Sequence, residues 1–469
     1  MKRYFGILGL FLAQSLMVNG LTYSINPNEE PLSVVSDYFL SVALDTTNIS
    51  TIDIKNPQLT KLVKHLSPMY FRLGGTQADI QLFEDDSKDN TKLGDGNPVL
   101  KASYWSTLYD FSKNANVRIL FDLNSLLRND DGSWNFENAE EMIKFSHENA
   151  FELDWELGNE PDLYRQIYNK QVSANQLGQD FKTLRSLLDQ YQYNSSHLVG
   201  PSMFDVGSND ATRKYLADFL AVASPAIYAV TWHQYYFSGR GATEREFLNP
   251  ATFNYLEQRT KVVTGIVGDA NKVWLGETSS AYNGGALNMS DRFLASFLWL
   301  DKLGLGAKLG LEVIVRQAIW GYNYPLLDLE YNPNPDYWVS VLYKKLVGTK
   351  VISLENDGGD ARTVRLYAHC AKSIPNAVVV FGLNLANSEA SFSLAGLTAN
   401  NQVSSYELTP ENGDLYTKTV LLNGAPLSLS KDLNLPDFNA KIVEFAEAYS
   451  VPAYSLGFWV FFDTNVKAC

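Results

Sequence analysis

Cysteine is almost missing from this chain, with Cys370 and Cys469 the only two in 469 residues. That leaves room for one bridge at most and for no cysteine-rich metal centre. Histidine is nearly as scarce. The five residues are scattered without the spacing that gathers imidazoles on one ion, so no metal and no cofactor is expected. No apolar run reaches the roughly 20 uncharged residues that cross a bilayer, so a transmembrane segment is not expected. Positive charge is the minority sign, 38 Lys and Arg against 52 Asp and Glu, for a net charge of −14. A field of that sign repels nucleic acid and anionic membranes. Internal repeats and low-complexity linkers are lacking, and no Gly-rich phosphate turn follows the first strand pattern, which argues against a doubly wound dinucleotide fold.

What is present begins with Met-Lys-Arg, an apolar stretch from Tyr4 to Val18, and then Asn19-Gly20. This is the layout of a secretory signal, and it is too short for a membrane anchor. Residues 1–20 are therefore expected to be a signal peptide, and the mature protein to be secreted to the extracellular space or held in lysosomes. In such a compartment Cys370 and Cys469 are expected to pair, two free buried thiols being the alternative. Sequons at Asn48, Asn194 and Asn288 are candidate glycosylation acceptors there.

From about residue 40 to residue 347, short β-rich apolar runs alternate with amphipathic helical patterns. The runs include residues 39–44, 69–73, 117–122, 153–157, 229–232, 273–275 and 312–316; the helical patterns include 139–149, 174–191 and 291–303. Repeated strand–helix–strand order implies a parallel sheet. At this length it predicts an α/β protein with a (β/α)8 TIM barrel over residues 41–348. After about Lys350 the texture becomes alternating strands separated by Asn, Asp and Gly turns, which predicts a C-terminal β-sandwich over residues 349–469. Residues 21–40 are too polar to open a barrel and are expected to supply a strand that pairs with the sandwich.

Two carboxylates follow apolar strands at their C-terminal ends, where barrel enzymes place their chemistry. They stand in Trp155-Glu-Leu-Gly-Asn-Glu-Pro161 and Val273-Trp-Leu-Gly-Glu-Thr-Ser279. Glycoside hydrolysis with retention needs one carboxylic acid to protonate the departing oxygen and one carboxylate to attack the anomeric carbon, about 5–5.5 Å apart. Glu160 and Glu277 fit those two roles. Asn159-Glu160-Pro161 by itself could equally be a solvated turn opening a helix at proline.

The same two segments, with Leu66-Ser-Pro-Met-Tyr-Phe-Arg-Leu-Gly-Gly-Thr76, Thr231-Trp-His-Gln-Tyr-Tyr236 and Lys344-Lys-Leu-Val-Gly-Thr349, resemble the heparanase branch of glycoside hydrolase family 79 over nearly the whole mature chain. The resemblance implies a barrel carrying a β-sandwich, Glu160 as proton donor and Glu277 as nucleophile. It further implies that Asn159 and Gln317 hold the sugar at the cleavage point and that Gly284 and Gly285 offer backbone N–H groups to a glucuronate carboxylate, with Tyr324 beside them. Asp45, Thr76, His233, Tyr235 and Arg240 match cleft positions; packing at a strand end is the plainer reading of His233 and Tyr235, and an ordinary surface charge that of Arg240. Arg72 and Arg316, on strands, are expected to anchor the site's carboxylates.

The implied activity is endo-β-glucuronidase action on a glycosaminoglycan polysaccharide, heparan sulfate first. Two features depart from the family pattern. Only residues 83–100 occupy the place of the long segment that blocks the cleft in family precursors, so a monomeric single chain, active without proteolytic activation, is expected. The region from Asp205 to Asp210 carries acids where relatives that grip sulfates carry basic residues. The leech-type hyaluronidase of the same family therefore remains an alternative, as do an exo-acting β-glucuronidase and a homologue that binds glycosaminoglycan without cutting it.

Overall fold

The computed structural model describes residues 20–86, 96–358 and 362–469. The signal-peptide expectation, apart from Gly20, and the middle of residues 83–100 lie outside the described residues. Eight strands close into a parallel barrel: β1 Leu40–Asp45, β2 Tyr70–Gly74, β3 Arg118–Leu123, β4 Leu153–Leu157, β5 Leu198–Phe204, β6 Ala229–Gln234, β7 Lys272–Thr278 and β8 Val313–Gln317. Each pairs with the next in the chain, and β8 closes on β1 from Ile314 against Leu40 to Gln317 against Ala43. Nearly every strand residue is buried, because a barrel covers one strand face with its interior and the other with helices.

A helix follows each strand: α1 Pro57–Lys64, α2 Ala102–Ala115, α3 Glu137–Glu148, α4 Ala174–Gln190, α5 Asp210–Ala223, α6 Pro250–Val267, α7 Phe293–Lys308 and α8 Pro335–Leu346. Their starts are written locally. Asn56, Ser173, Asn209 and Asn249 each accept a first-turn N–H through their side chain, and Pro57 and Pro250 follow two of them where no N–H is needed. The barrel with its sandwich is the expected architecture.

The sandwich packs a nine-stranded sheet, which includes Val364–Ala371, Val378–Asn384, Gln402–Pro410 and Ser455–Phe461, against a four-stranded one. Gly20–Ser24 lies inside the smaller sheet, parallel to Ala390–Ala395 and antiparallel to Glu355–Gly358. Leu21, Tyr23, Phe392 and Trp459 fill the space between the sheets, with the last two rings edge to face at 4.9 Å. Cys370 and Cys469 are disulfide-bonded, fastening the last residue to the end of the Val364–Ala371 strand. Helix α7 is buried on every side through Ala307, and its apolar run needs no polar face because barrel and sandwich both cover it. Asp301 on α7 accepts from Arg365 Nε and Tyr367 Oη of the sandwich, each at 2.6 Å.

Candidate active site

The site stands at the C-terminal mouth of the barrel and is organised around one guanidinium. Arg72, on β2, is fully buried. Its Nε donates to Glu156 Oε2 at 2.7 Å, Nη1 to Glu277 Oε2 at 2.9 Å and Nη2 to Asn159 Oδ1 at 3.0 Å. One planar fork thus ties β2 to β4, β7 and the turn after β4, a task that matches the fixed donor geometry of arginine. Glu156 accepts further bonds from the hydroxyls of Ser202 and Thr231, which adds β5 and β6.

Glu160 leaves β4 through a sharp turn. Gly158 has φ +78°, and a Cβ there would collide with the Tyr164 hydroxyl and Ser125, so only glycine fits. Glu160 itself sits at φ +54°, a left-handed conformation costly for a residue with a Cβ, and its N–H donates to Ser202 O at 2.9 Å. Asp79 fastens the same turn from the β2 loop, accepting from the Asn159 N–H at 2.9 Å, from Ser125 Oγ and from the Tyr164 hydroxyl. Burial pushes the Asp79 carboxyl up to about 8.

The two glutamates face one another. An oxygen of each and a ring nitrogen of His233 lie within 4.8 Å of one another. His233 Nδ1, on β6, is 2.9 Å from Glu160 Oε1 and 4.0 Å from Glu277 Oε2. Tyr235 donates its hydroxyl to Glu277 Oε1 at 2.7 Å. Their environments push the two carboxyls apart. Burial raises Glu160, and the neighbouring Glu277 charge adds to that against the opposing bond from His233, so the net direction is upward. Burial also works to raise Glu277, but the charges of His233 and Arg72 with the Tyr235 hydrogen bond outweigh it and hold this carboxyl below its usual range. Burial lowers His233, yet the two carboxylates outweigh it and the net is upward.

Beyond Glu277, Gln317 Nε2 at the end of β8 donates to Asp45 Oδ2 at the end of β1, 3.0 Å away. Burial and the Glu277 charge raise Asp45. Gly75, which precedes the exposed Thr76, packs against the Asp45 carboxylate. Tyr324 stacks beside Tyr235 with ring centroids 6.4 Å apart. It also covers Gly285: a Cβ there would lie 2.9 Å from Tyr324 Cδ1, while one on Gly284 would lie 3.3 Å from Tyr322. The buried Gln317 Oε1 and His233 Nε2 have no protein partner.

The structure therefore gathers Glu160, Glu277, Asn159, His233, Tyr235, Gln317, Asp45, Gly284, Gly285 and Tyr324 at one mouth, with Thr76 at its edge. Arg240 is exposed on the loop after β6, beside Gly239, whose N–H donates to Tyr282 O at 2.8 Å and where a Cβ would collide with Gly285 O. Arg72 anchors Glu277 as expected, but Arg316 does not share that task. Its Nη2 donates to Asp336 Oδ2 at 2.7 Å and its guanidinium lies over the Trp299 ring, so it braces α7 and α8 from behind. Glu156 and Asp79 were not legible as site residues. The one signal for Glu156 was an acid inside the apolar run of β4.

Among the sequons, Asn194 and Asn288 are exposed, whereas the amide nitrogen of Asn48 is buried against Gly321. Among the described residues, the acid–His–acid group is the one cluster able to offer three close metal ligands. Its donor atoms are already engaged with one another, with Arg72 and with Tyr235. A cavity of about 500 Å³ lies at the opposite end of the barrel, between the start of β1 and the sandwich, lined by Phe39, Tyr343 and Lys372 among others.

Residues 37–304 match the model of the glycosyl hydrolase family 79 N-terminal domain. The chain is 34% identical to heparanase of Mus musculus over 94% of its own length and 93% of that protein. It is 33% identical to the hyaluronoglucuronidase of Hirudo nipponia, covering 93% of this chain and 97% of the other. Identity to the inactive heparanase-2 of Homo sapiens is 29%, over 94% of this chain and 88% of that one. Among solved structures, a 4-O-α-L-rhamnosyl-β-D-glucuronidase from Fusarium oxysporum superposes with a TM-score of 0.71 at 16% identity, over 94% of this chain and all of that one. The last shows the fold.

Proposed function

We propose, from the premise that this chain belongs to glycoside hydrolase family 79, that it is a secreted retaining endo-β-glucuronidase acting on a glycosaminoglycan, with heparan sulfate as its polymer. The observation that carries this is the pair of facing carboxyls, whose surroundings push Glu160 up and Glu277 down. An oxygen of each lies within 4.8 Å of the other, which supports the short spacing of about 5–5.5 Å used for double displacement over the wider one used for inversion.

Glu160, kept protonated by burial, gives its proton to the departing glycosidic oxygen. Glu277, kept ionised by Arg72, His233 and Tyr235, attacks the anomeric carbon and becomes a glycosyl ester. Esterification removes the Glu277 charge, one of the influences that raise Glu160. Its pKa then falls and Glu160 withdraws a proton from the water that cleaves the ester. Asn159, held by Arg72, is placed for the sugar 2-hydroxyl, and Gln317 with Asp45 for the other hydroxyls of the glucuronate. The N–H groups of Gly284 and Gly285 and the Tyr324 hydroxyl receive its carboxylate. Glycine suits that place because a bare backbone lets an anion approach its N–H groups.

Presence of both glutamates in this geometry supports an active enzyme rather than a glycosaminoglycan-binding homologue. Product sizing tests it. Wild type should cut the polymer to oligosaccharides without free glucuronate, and Glu160→Gln should lose about 10²–10⁴-fold in kcat on it, with Glu277→Gln losing at least as much. Full activity in Glu277→Gln would sink the assignment, and release of free glucuronate would move it to exo action. Hyaluronan is the second reading, favoured by the lack of any basic residue from Asp205 to Asp210, directly after β5.

A further inference from the structure

Helix α7 carries a cation behind the strand ends that takes no part in the mechanism above. Lys302 is 1% exposed and, among the described residues, forms no ion pair. The acids whose charge reaches it, Asp301 and Asp336, are taken up by Arg365 and Arg316. Its Nζ donates at 2.9 Å to Gln234 Oε1 and at 2.9 Å to Ser279 O, at 3.4 Å to Gln234 O, and also to Thr278 Oγ1. The nitrogen stands 4.4 Å from the centre of the Tyr236 ring. The Thr278 hydroxyl directs its own hydrogen at Gln234 O, so toward the lysine it only accepts. A neutral amine has two N–H bonds and a lone pair, an ammonium three N–H bonds and none. A shell made of acceptors alone therefore holds the ammonium, against burial and the Arg316 charge, which pull its pKa down.

The residues that meet this ammonium alternate along the chain with those that build the site. In the strand register His233 stands opposite Glu277, and Gln234 opposite Thr278. Successive side chains of a strand point to opposite faces. His233, Tyr235 and Glu277 accordingly meet one another at the mouth, while Gln234, Tyr236 and Thr278 turn back onto Lys302. The Tyr236 N–H donates to Ser280 O at 3.0 Å, which continues the contact between the two segments past the ends of β6 and β7. One ammonium thus grips the chain on both sides of the 2.7 Å hydrogen bond from Tyr235 to Glu277.

We propose that Lys302 is a positioning residue for the nucleophile: from behind the barrel mouth it clamps the ends of β6 and β7 together and so keeps Glu277 within reach of Tyr235 and His233. The proposal rests on the glucuronidase reading for its kinetic consequence and on geometry for the rest. Without the clamp the two segments are free to part, the Tyr235 bond lengthens, and Glu277 loses a donor that stabilises its charge. Aim and ionisation of the nucleophile matter for the chemical step, so the loss falls on kcat and not on the binding of substrate.

The test compares wild type with Lys302→Met and Thr278→Val. The first removes the clamp and its charge; the second keeps the charge and removes one link, so a change in it reads position alone. Titration of Glu277 is followed by NMR of protein labelled with ¹³C at the glutamate carboxyls, the signal being assigned by its absence in Glu277→Gln. The midpoint should move to higher pH in both variants, further in Lys302→Met. On heparan sulfate or hyaluronan, whichever wild type cuts, kcat should fall about 10- to 100-fold in Lys302→Met and less in Thr278→Val. KM should change little, and the acid limb of the pH profile should follow the NMR midpoint upward. A variant that loses stability in urea while its Glu277 midpoint and kcat stay at the wild-type values makes Lys302 a packing residue and overturns the proposal. If Lys302→Met does not fold, Thr278→Val decides, and an unmoved midpoint there overturns it. Wild type inert on both polymers sinks the glucuronidase reading instead, and the NMR midpoints still judge the clamp.

Discussion

His233 sits between two carboxylates that must hold opposite charges, and its own positive charge lowers both. Replacing it with glutamine keeps a hydrogen-bond donor and removes the charge, so both carboxyls rise. The acid limb of the kcat/KM profile, set by ionisation of Glu277, and the alkaline limb, set by deprotonation of Glu160, should then both move to higher pH. An unmoved profile would leave His233 a packing residue. Arg72 makes a sharper case. Arg72→Met strands the buried Glu156 and leaves Glu277 without its guanidinium, for a loss of about 3–5 kcal/mol in urea unfolding and an upward shift of the acid limb. Arg72→Lys should recover only part, because an ammonium cannot reach three partners in one plane. The catalytic glutamates were legible from their strand-end motifs. Asp79 was not, since nothing in its local sequence tells that a loop carboxyl will end up under the Asn159–Glu160 turn.

At the level of single elements, the runs chosen from apolar pattern fall on seven barrel strands, five of them within a residue at each end, while those at 229–232 and 273–275 stop two and three residues short. The one passed over is β5, whose Gly200-Pro201-Ser202 centre lacks an N–H and the β-branched residues that announce a strand. Tertiary packing overrides that weakness: Phe181 of α4 lies where a Cβ on Gly200 would stand. Helix α7 was legible as a helix, but its placement was not. An all-apolar helix fits any deep site, and only the fold puts it between barrel and sandwich. Gly304 marks the contact, since a Cβ there would collide with the Tyr367 ring. Gly304→Ala should therefore cost about 1–3 kcal/mol in urea unfolding. The KM on the glycosaminoglycan should stay put, because the site lies at the other end of the strands' loops; a changed KM with full stability would refute this separation.

Across the whole molecule, the disulfide and the Gly20–Ser24 strand hold the two ends of the described chain in one sandwich. The bridge closes 99 residues, so Cys469→Ser should lower stability by about 2–4 kcal/mol, the typical effect of removing such a constraint on the unfolded chain. Thermal unfolding with and without reductant reads this directly, and equal midpoints would contradict it. Sequence alone determined the alternation of strand and helix, the change of texture near Lys350 and the two glutamate motifs, because each is written in residues adjacent along the chain. Only the tertiary structure decided which carboxyl is raised and which is lowered, that one arginine serves β2, β4 and β7 together, and that Arg316 serves elsewhere. Those facts depend on burial and on charges brought together from strands far apart in sequence, and no local pattern records them.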